Sequence, residues 1–392
     1  MKTIFAHKIL QMTFDQVVGQ KELLNQLKKL VDEDKMPHAI FLKGQSGYGP
    51  LAIALAISSY ILTPKKEREN LSESKSYQKA TKYIHPDLNF AFPVVKNNAK
   101  KRAETTSKDF INEWRTILSK DGYQSHSEWI ISISSSTSVG DINVSECNQI
   151  ISNLSLKPFE SEHKVQIIWM PQYLGNNGNK LLKLIEEPPK NSIIIFVGNS
   201  IDTVLKTITS RCQIINVPRI SDETLQLALE HKHQLDSEMA KKVSFLAEGN
   251  YSKAKTLLSI KEDISLDFIL EWLEIARSRS ALDIRNWINK FIDLGKEEQK
   301  GLLIYFLKTL REVVHIRFTG IEMSKLNNRE RIIIQKNVTL NNLTIEHIGE
   351  ISDVVNETYV LLQRNANPRI LLFQGSLQIG KIFKKSTLAT EV

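Results

Sequence analysis

Cysteine is nearly missing from this chain: 392 residues carry two, Cys147 and Cys212, and neither sits in a CxxC pair. That excludes a disulfide scaffold and removes the ligands of a cysteine-rich zinc site. Long apolar runs are missing as well. None reaches the ~18 residues that a membrane-crossing helix needs, and residues 1–11 show no small-residue cleavage site. The expectation is a cytoplasmic protein with no membrane partner. Charge of one sign is only in mild excess, with 52 Lys and Arg against 44 Asp and Glu and a net of +8. This permits contact with nucleic acid without demanding it. With 41% hydrophobic and 24% charged residues the chain has the composition of folded domains, and its length implies two or three of them.

What is present reads first as alternating strands and helices. Val17-Val18-Gly19-Gln20 leads into apolar positions at helical spacing, Leu23, Leu24, Leu27, Leu30 and Val31. Residues 38–43 read as a short buried strand that enters the glycine turn Gly44-Gln45-Ser46-Gly47-Tyr48-Gly49, and 51–61 as the helix that follows. The pattern resumes at Ile142, with a helix expected over 144–156, strands over 164–170 and 192–198, a helix over 179–187 stopped by Pro188-Pro189, a short helix over 204–209 and a strand over 212–217. After Pro218 the strand pattern stops, and helices are expected over 222–233, 237–247, 252–258, 268–275, 284–294, 297–318, 344–362 and 368–382. The fold class is therefore α/β plus all-α, with a parallel sheet domain first and helices after it.

Between these blocks the texture changes. Residues 65–109 hold 11 Lys and Arg against 6 Asp and Glu, more than half of the net charge of the chain. We read about 64–124 as a basic insertion on the sheet domain, with one strand within 85–95. Its densest cluster, Lys96, Lys100, Lys101 and Arg102, is a candidate phosphate-backbone contact. No aromatic residues are interleaved with those charges as stacking platforms require.

Gly44 and Gly49 have the spacing of a P-loop placed between a strand and a helix. The working motif continues with a lysine that reaches the phosphates and a hydroxyl that binds magnesium. Here those positions are Pro50 and Leu51. Pro50 removes the ammonium and a backbone donor, and Leu51 removes the hydroxyl. The strand ending at Met170 runs into Pro171 and Gln172 in place of metal-holding acids. The expectation is a turn with no nucleotide: Gly44, Gly47, Gly49, Pro50 and Leu51 form a degenerate loop and the chain carries no cofactor.

Four segments together carry a family resemblance: Val17 to Gln20, the eroded loop, Asn179-Lys180-Leu181-Leu182-Lys183-Leu184-Ile185-Glu186-Glu187-Pro188-Pro189, and Thr207-Ile208-Thr209-Ser210-Arg211-Cys212-Gln213. In this order they resemble clamp-loader subunits of the AAA+ class, and among those the delta-prime subunits of bacterial DNA polymerase III. The resemblance is clear over about 14–60 and 142–260 and weaker beyond. It implies a sheet domain over 1–217, a helical lid over 218–262 and a helical collar over 263–392. It also implies a subunit that does not hydrolyse ATP and helps a pentameric ring load the sliding clamp onto primed DNA. The implied partners are clamp-loader ATPase subunits and the delta subunit, with clamp and DNA reached through the complex. Arg211, flanked by Ser210 and Cys212, would be an arginine finger acting in trans on ATP held by a neighbour. Its delocalised charge and planar fork suit phosphate oxygens.

The chain departs from the family pattern in three ways. Residues 62–140 contain no cysteine, so no zinc is expected, and the basic insertion stands there instead. Gly249-Asn250-Tyr251-Ser252-Lys253 offers Ser252 where active relatives have the sensor arginine. Two other readings remain open: a self-sufficient AAA+ ATPase with an unusual loop, and a degenerate AAA+ scaffold in a different DNA-repair assembly. His85-Pro86-Asp87 is expected to be a turn, not a metal site. A nucleophilic Cys212 has no histidine nearby in sequence. Trp114, Trp129, Trp169, Trp272 and Trp287 are expected to anchor cores or interfaces. The stripe Leu302, Leu303, Phe306, Leu310, Val313 and Val314 must partly face a core.

Overall fold

The computed structural model describes residues 12–96, 101–134, 139–258, 265–324, 326, 328–364 and 366–389. Among them the chain divides into two compact units. The first runs to Leu225 and includes Gly249–Ser252; the second holds Gln226–Glu248 and resumes at Lys253. Residues 218–262, expected as a lid, are thus shared between the units. No described helix is long and apolar enough to cross a membrane.

In the first unit the elements follow as α1 (Lys21–Asp32), β1 (Ala39–Lys43), α2 (Pro50–Ile61), α3 (Lys75–Thr81), β2 (Leu88–Ala91), α4 (Ile111–Leu118), α5 (His126–Ile133), α6 (Val144–Ser155), β3 (Lys164–Trp169), α7 (Leu182–Glu186), β4 (Ser192–Gly198), α8 (Lys206–Thr209) and β5 (Gln213–Asn216). The five strands make one sheet in the order β2-β3-β4-β1-β5, parallel throughout. Every residue of β3 and β4 is buried. A parallel sheet covered on both faces favours apolar runs such as Ile193 to Val197 in β4, while β3 also buries Lys164 and Gln166. Phe41 faces Phe196 in the register and stacks on it at 6.3 Å.

Helix α2 is buried along its whole length, which suits a helix apolar all round. Its two serines are accommodated because Ser58 and Ser59 donate to the carbonyls of Ala54 and Leu55, at 2.6 and 3.0 Å.

The stretch read as an insertion is built into this sheet. β2 pairs with β3 from Leu88↔Val165 to Ala91↔Ile168. Around it packs an aromatic cluster: Phe92 stacks on Trp114 at 4.2 Å, and Trp129 and Trp169 each approach Trp114 to 5.0 Å. The Trp129 indole donates to the carbonyl of Pro93 at 2.7 Å, satisfying its one polar atom. The positive charge of this stretch therefore decorates an apolar framework.

α9 (Asp222–His233) follows the sheet. The second unit contains α10 (Ser237–Ala247), then α11 (Tyr251–Leu258) from Lys253 onward, α12 (Ser265–Ser278), α13 (Ala281–Ile292), α14 (Lys296–Thr319), α15 (Asn328–Lys336), α16 (Val338–Asn341), α17 (Ile345–Gln363) and α18 (Pro368–Ala389). α14 packs on α17, and α18 packs on α12, α13 and α17. Trp272 and Trp287 stack at 4.9 Å, and the Trp272 indole donates to Ser376 Oγ at 2.8 Å. Leu302, Leu303, Phe306, Leu310 and Val313 are all buried within the chain, and Val314 is half-buried. That stripe serves a core.

Candidate functional site

The glycine loop leaves β1 where Gly44 N donates to the carbonyl of Gly198 at 3.0 Å. One tight turn, Ser46–Tyr48, leads to Gly49 at φ +92° and then to Pro50 at the first position of α2. Proline suits that position because its missing N–H has no intrahelical partner there.

Protein groups fill the space around the loop. A Cβ on Gly47 would overlap the Asn250 carboxamide, and one on Gly49 would meet the Tyr123 ring at 2.9 Å. A Cβ on Gly44 would meet the Val217 side chain at 2.9 Å. Asn250 is buried and donates through Nδ2 to Gln45 Oε1 at 3.3 Å. Tyr123 is held from three sides. Its hydroxyl accepts from Val18 N at 2.7 Å, its ring meets the edge of Tyr251 at 4.9 Å, and its carbonyl accepts from Ser252 Oγ. Burial drives the Tyr123 phenol far above its ordinary pKa, so it stays protonated.

Gln20, in the left-handed region at φ +62°, donates from Nε2 to the carbonyls of Pro218 at 2.6 Å and Tyr48 at 3.3 Å. Val17-Val18-Gly19-Gln20 thus acts as a brace of the loop. The glycines of the spacing are explained by close approach of Asn250, Tyr123 and Val217.

Arg211 lies just after α8, and its backbone N donates to the carbonyl of Ile208 at 3.1 Å. Its Nε donates to Glu186 Oε1 at 2.6 Å, and Nη2 reaches the same carboxylate. Nη1 donates to the carbonyl of Thr207 at 2.9 Å and to Ser210 Oγ at 3.3 Å. The side chain is 37% exposed and that of Glu186 46%. Behind them Leu181, Leu184, Ile185 and Ile208 belong to one buried cluster, which fixes α7 against α8. Two of the segments that carry the resemblance, Asn179 to Pro189 and Thr207 to Gln213, therefore meet through one ion pair.

Cys212 is a half-buried free thiol, and burial pushes its pKa up to about 12. Cys147 is buried on α6, and burial pushes its thiol up to about 11. Burial thus disfavours the thiolate at both positions, which weighs against a nucleophilic role.

The basic cluster is partly committed. Lys96, Lys101 and Arg102 are exposed, Arg102 pairs with Asp141 at 3.5 Å, and Lys100 lies outside the described residues.

Asp87 has a role that its sequence context did not reveal. It is fully buried, and its carboxylate accepts from the backbone N–H groups of Phe159, Glu160 and Ser161 at 2.7, 2.8 and 3.0 Å. His85 Nδ1 accepts from Asp87 N at 3.1 Å, and burial lowers the His85 pKa. The turn is an anchor for the loop between α6 and β3, where Phe159 is 81% exposed. Glu146 on α6 is also buried, accepts from Ser107 N, and is pushed up to about 7 by burial.

The family model described as "DNA polymerase III, delta subunit" matches residues 19–221, which span both the loop and Arg211. A DNA polymerase III subunit gamma of Buchnera aphidicola subsp. Schizaphis graminum is 27% identical over 197 residues, 44% of this chain and 54% of that protein. A DNA polymerase III subunit delta' of Bacillus subtilis is 22% identical over 196 residues, 50% of this chain and 46% of that protein. A solved gamma-subunit-related protein of Thermotoga maritima aligns over 92% of this chain and 99% of its own, at 15% identity and a TM-score of 0.40. The chain spans about half the length of the curated relatives it matches. With more than half of its residues inside one family match, the chain belongs to the DNA polymerase III delta-subunit family of clamp-loader subunits.

Proposed function

We propose that this chain is a delta-prime-type clamp-loader subunit that does not itself hydrolyse ATP. In this reading it helps load the sliding clamp onto primed DNA and supplies Arg211 in trans to ATP bound by a neighbouring ATPase subunit. Its helices from residue 263 onward act as a collar that holds the ring. One observation carries the reading: Pro50 and Leu51 stand where phosphoryl-transfer chemistry needs a lysine and a hydroxyl, on a loop whose glycines at 47 and 49 are crowded by Asn250 and Tyr123. Partly exposed Arg211, just after a short helix that packs into the buried cluster of the sheet, supports the second half.

The test is reconstitution with partner ATPase subunits, the delta subunit, clamp and primed DNA. Arg211→Ala is expected to cut ATPase strongly while the complex still assembles; fingers acting in trans contribute ~10³–10⁵ in related phosphoryl transfers. Unchanged ATPase in an intact complex rejects the finger. Turnover by the isolated chain that is lost on mutating its own loop rejects the non-hydrolysing reading in favour of a self-sufficient ATPase.

A further inference from the structure

We propose that Glu186 is a positioning residue for Arg211, holding its guanidinium until phosphate oxygens of a neighbouring subunit's nucleotide take the carboxylate's place. The proposal rests on the finger reading of Arg211 and adds how that arginine is kept and released. Glu186 takes the edge of the guanidinium formed by Nε and Nη2, while Nη1 is held by the carbonyl of Thr207 and by Ser210 Oγ. Guanidinium binds carboxylates and phosphates through the same paired N–H edges. A phosphate arriving at Arg211 therefore competes with Glu186 for that edge and does not simply add to the contacts already made.

The Thr207 carbonyl can remain bound during such an exchange, because it engages the other nitrogen. The guanidinium then pivots about a fixed point on α8. Glu186 is set in place by the chain around it: Pro188-Pro189 end α7 at this residue, and Leu184 and Ile185 anchor the helix in the same cluster as Ile208. Both charged side chains are more than a third exposed, so water and salt weaken the pair. Exposed pairs of this kind hold weakly enough that the exchange costs about 1.5- to 5-fold in occupancy. That is small against the gain from a finger, which lets the pair restrain Arg211 before assembly without blocking it afterwards.

The experiment compares ATPase of the reconstituted complex carrying Glu186→Gln, Arg211→Ala, both together, Glu186→Asp, or Glu187→Gln as a neighbouring charge control. Glu186→Gln is expected to raise ATPase about 1.5- to 5-fold at low ionic strength, with the gain shrinking as salt rises and Glu186→Asp restoring the lower rate. The double variant is expected to match Arg211→Ala alone, an outcome that a purely structural role for Glu186 does not produce. If Arg211→Ala lowers ATPase but Glu186→Gln leaves it unchanged or lowers it, the exchange is overturned and the finger stands. The exchange is likewise overturned if the gain survives in the double variant or if Glu187→Gln gives an equal gain. If Arg211→Ala has no effect in an intact complex, the finger reading falls and the exchange falls with it.

Discussion

Asn250 occupies the space that a side chain at position 47 would need: its carboxamide lies where Gly47 would carry a Cβ. The two residues are far apart in the chain, yet each dictates the other. Gly47→Ala forces either the asparagine or the loop to move, an overpacking cost of about 1–3 kcal/mol. Asn250→Ala leaves Gln45 without its partner and costs about 1 kcal/mol. The double variant should lose less than the sum, because the methyl group at 47 enters the space vacated at 250. Urea denaturation of the four proteins measures the coupling, and simple additivity would show that the two side chains do not compete.

Lysine is expected to be a poor substitute at position 211. It keeps the charge but has a single nitrogen, so it cannot hold the Thr207 carbonyl while presenting a second edge outward. Arg211→Lys should retain stability within about 0.5 kcal/mol, as expected for an exposed site, while the reconstituted complex loses most of the ATPase that Arg211→Ala loses. Full activity in the lysine variant would mean that position 211 contributes charge alone.

Glu146 predicts a pH dependence. Burial raises its pKa from 4.5 to about 7 in the folded chain. Between those values the unfolded chain ionises while the folded one stays protonated, so stability falls as pH rises through this window and levels off above about 7. The loss from this one group is on the order of 3 kcal/mol. Glu146→Gln keeps an oxygen for Ser107 N and should remove this fall. Chemical denaturation of both proteins at pH 5 and pH 8 measures it; an equal change in the two proteins would show that Glu146 is hydrated and ionises normally.

Asp87→Ala removes the acceptor of three backbone N–H groups at once. Buried donors without partners are costly, and a loss of about 3 kcal/mol is expected. Faster proteolysis near Phe159 should accompany it, since that loop would lose its anchor. A loss below about 0.5 kcal/mol would place water, not the aspartate, at those donors.

Much of the sheet is legible in the sequence because β1 and β4 carry apolar runs, Ala39 to Leu42 and Ile193 to Val197, and β3 carries Ile167 to Trp169. The bounds expected for α9 and α10 agree with the structure for the same kind of reason: Ser221 and Asp236 precede them, and Asp236 caps α10 through Met239 N. β2 is expected as a strand but not as a member of this sheet. Lysines and arginines on both sides mask the apolar residues, Leu88, Phe90 and Ala91, that place it beside β3. α5 is not among the expected helices although Ser125 and Glu128 form a capping box, a signal the sequence does contain. The site divides in the same way. Arg211 and the glycine loop stand out as local motifs. Asn250 against Gly47 and Glu186 against Arg211 are contacts between distant segments, and no periodicity encodes them.

The complete burial of α2 bears on what its first positions can tolerate. Lysine at position 50 and threonine at 51 would give the loop the letters of a phosphate-binding motif. They would also place an ammonium where Pro50 is buried and a hydroxyl where Leu51 is 2% exposed, beside glycines that Asn250 and Tyr123 already crowd. An unpaired buried charge costs more than a domain can readily offset. Those two substitutions alone would therefore unsettle the core.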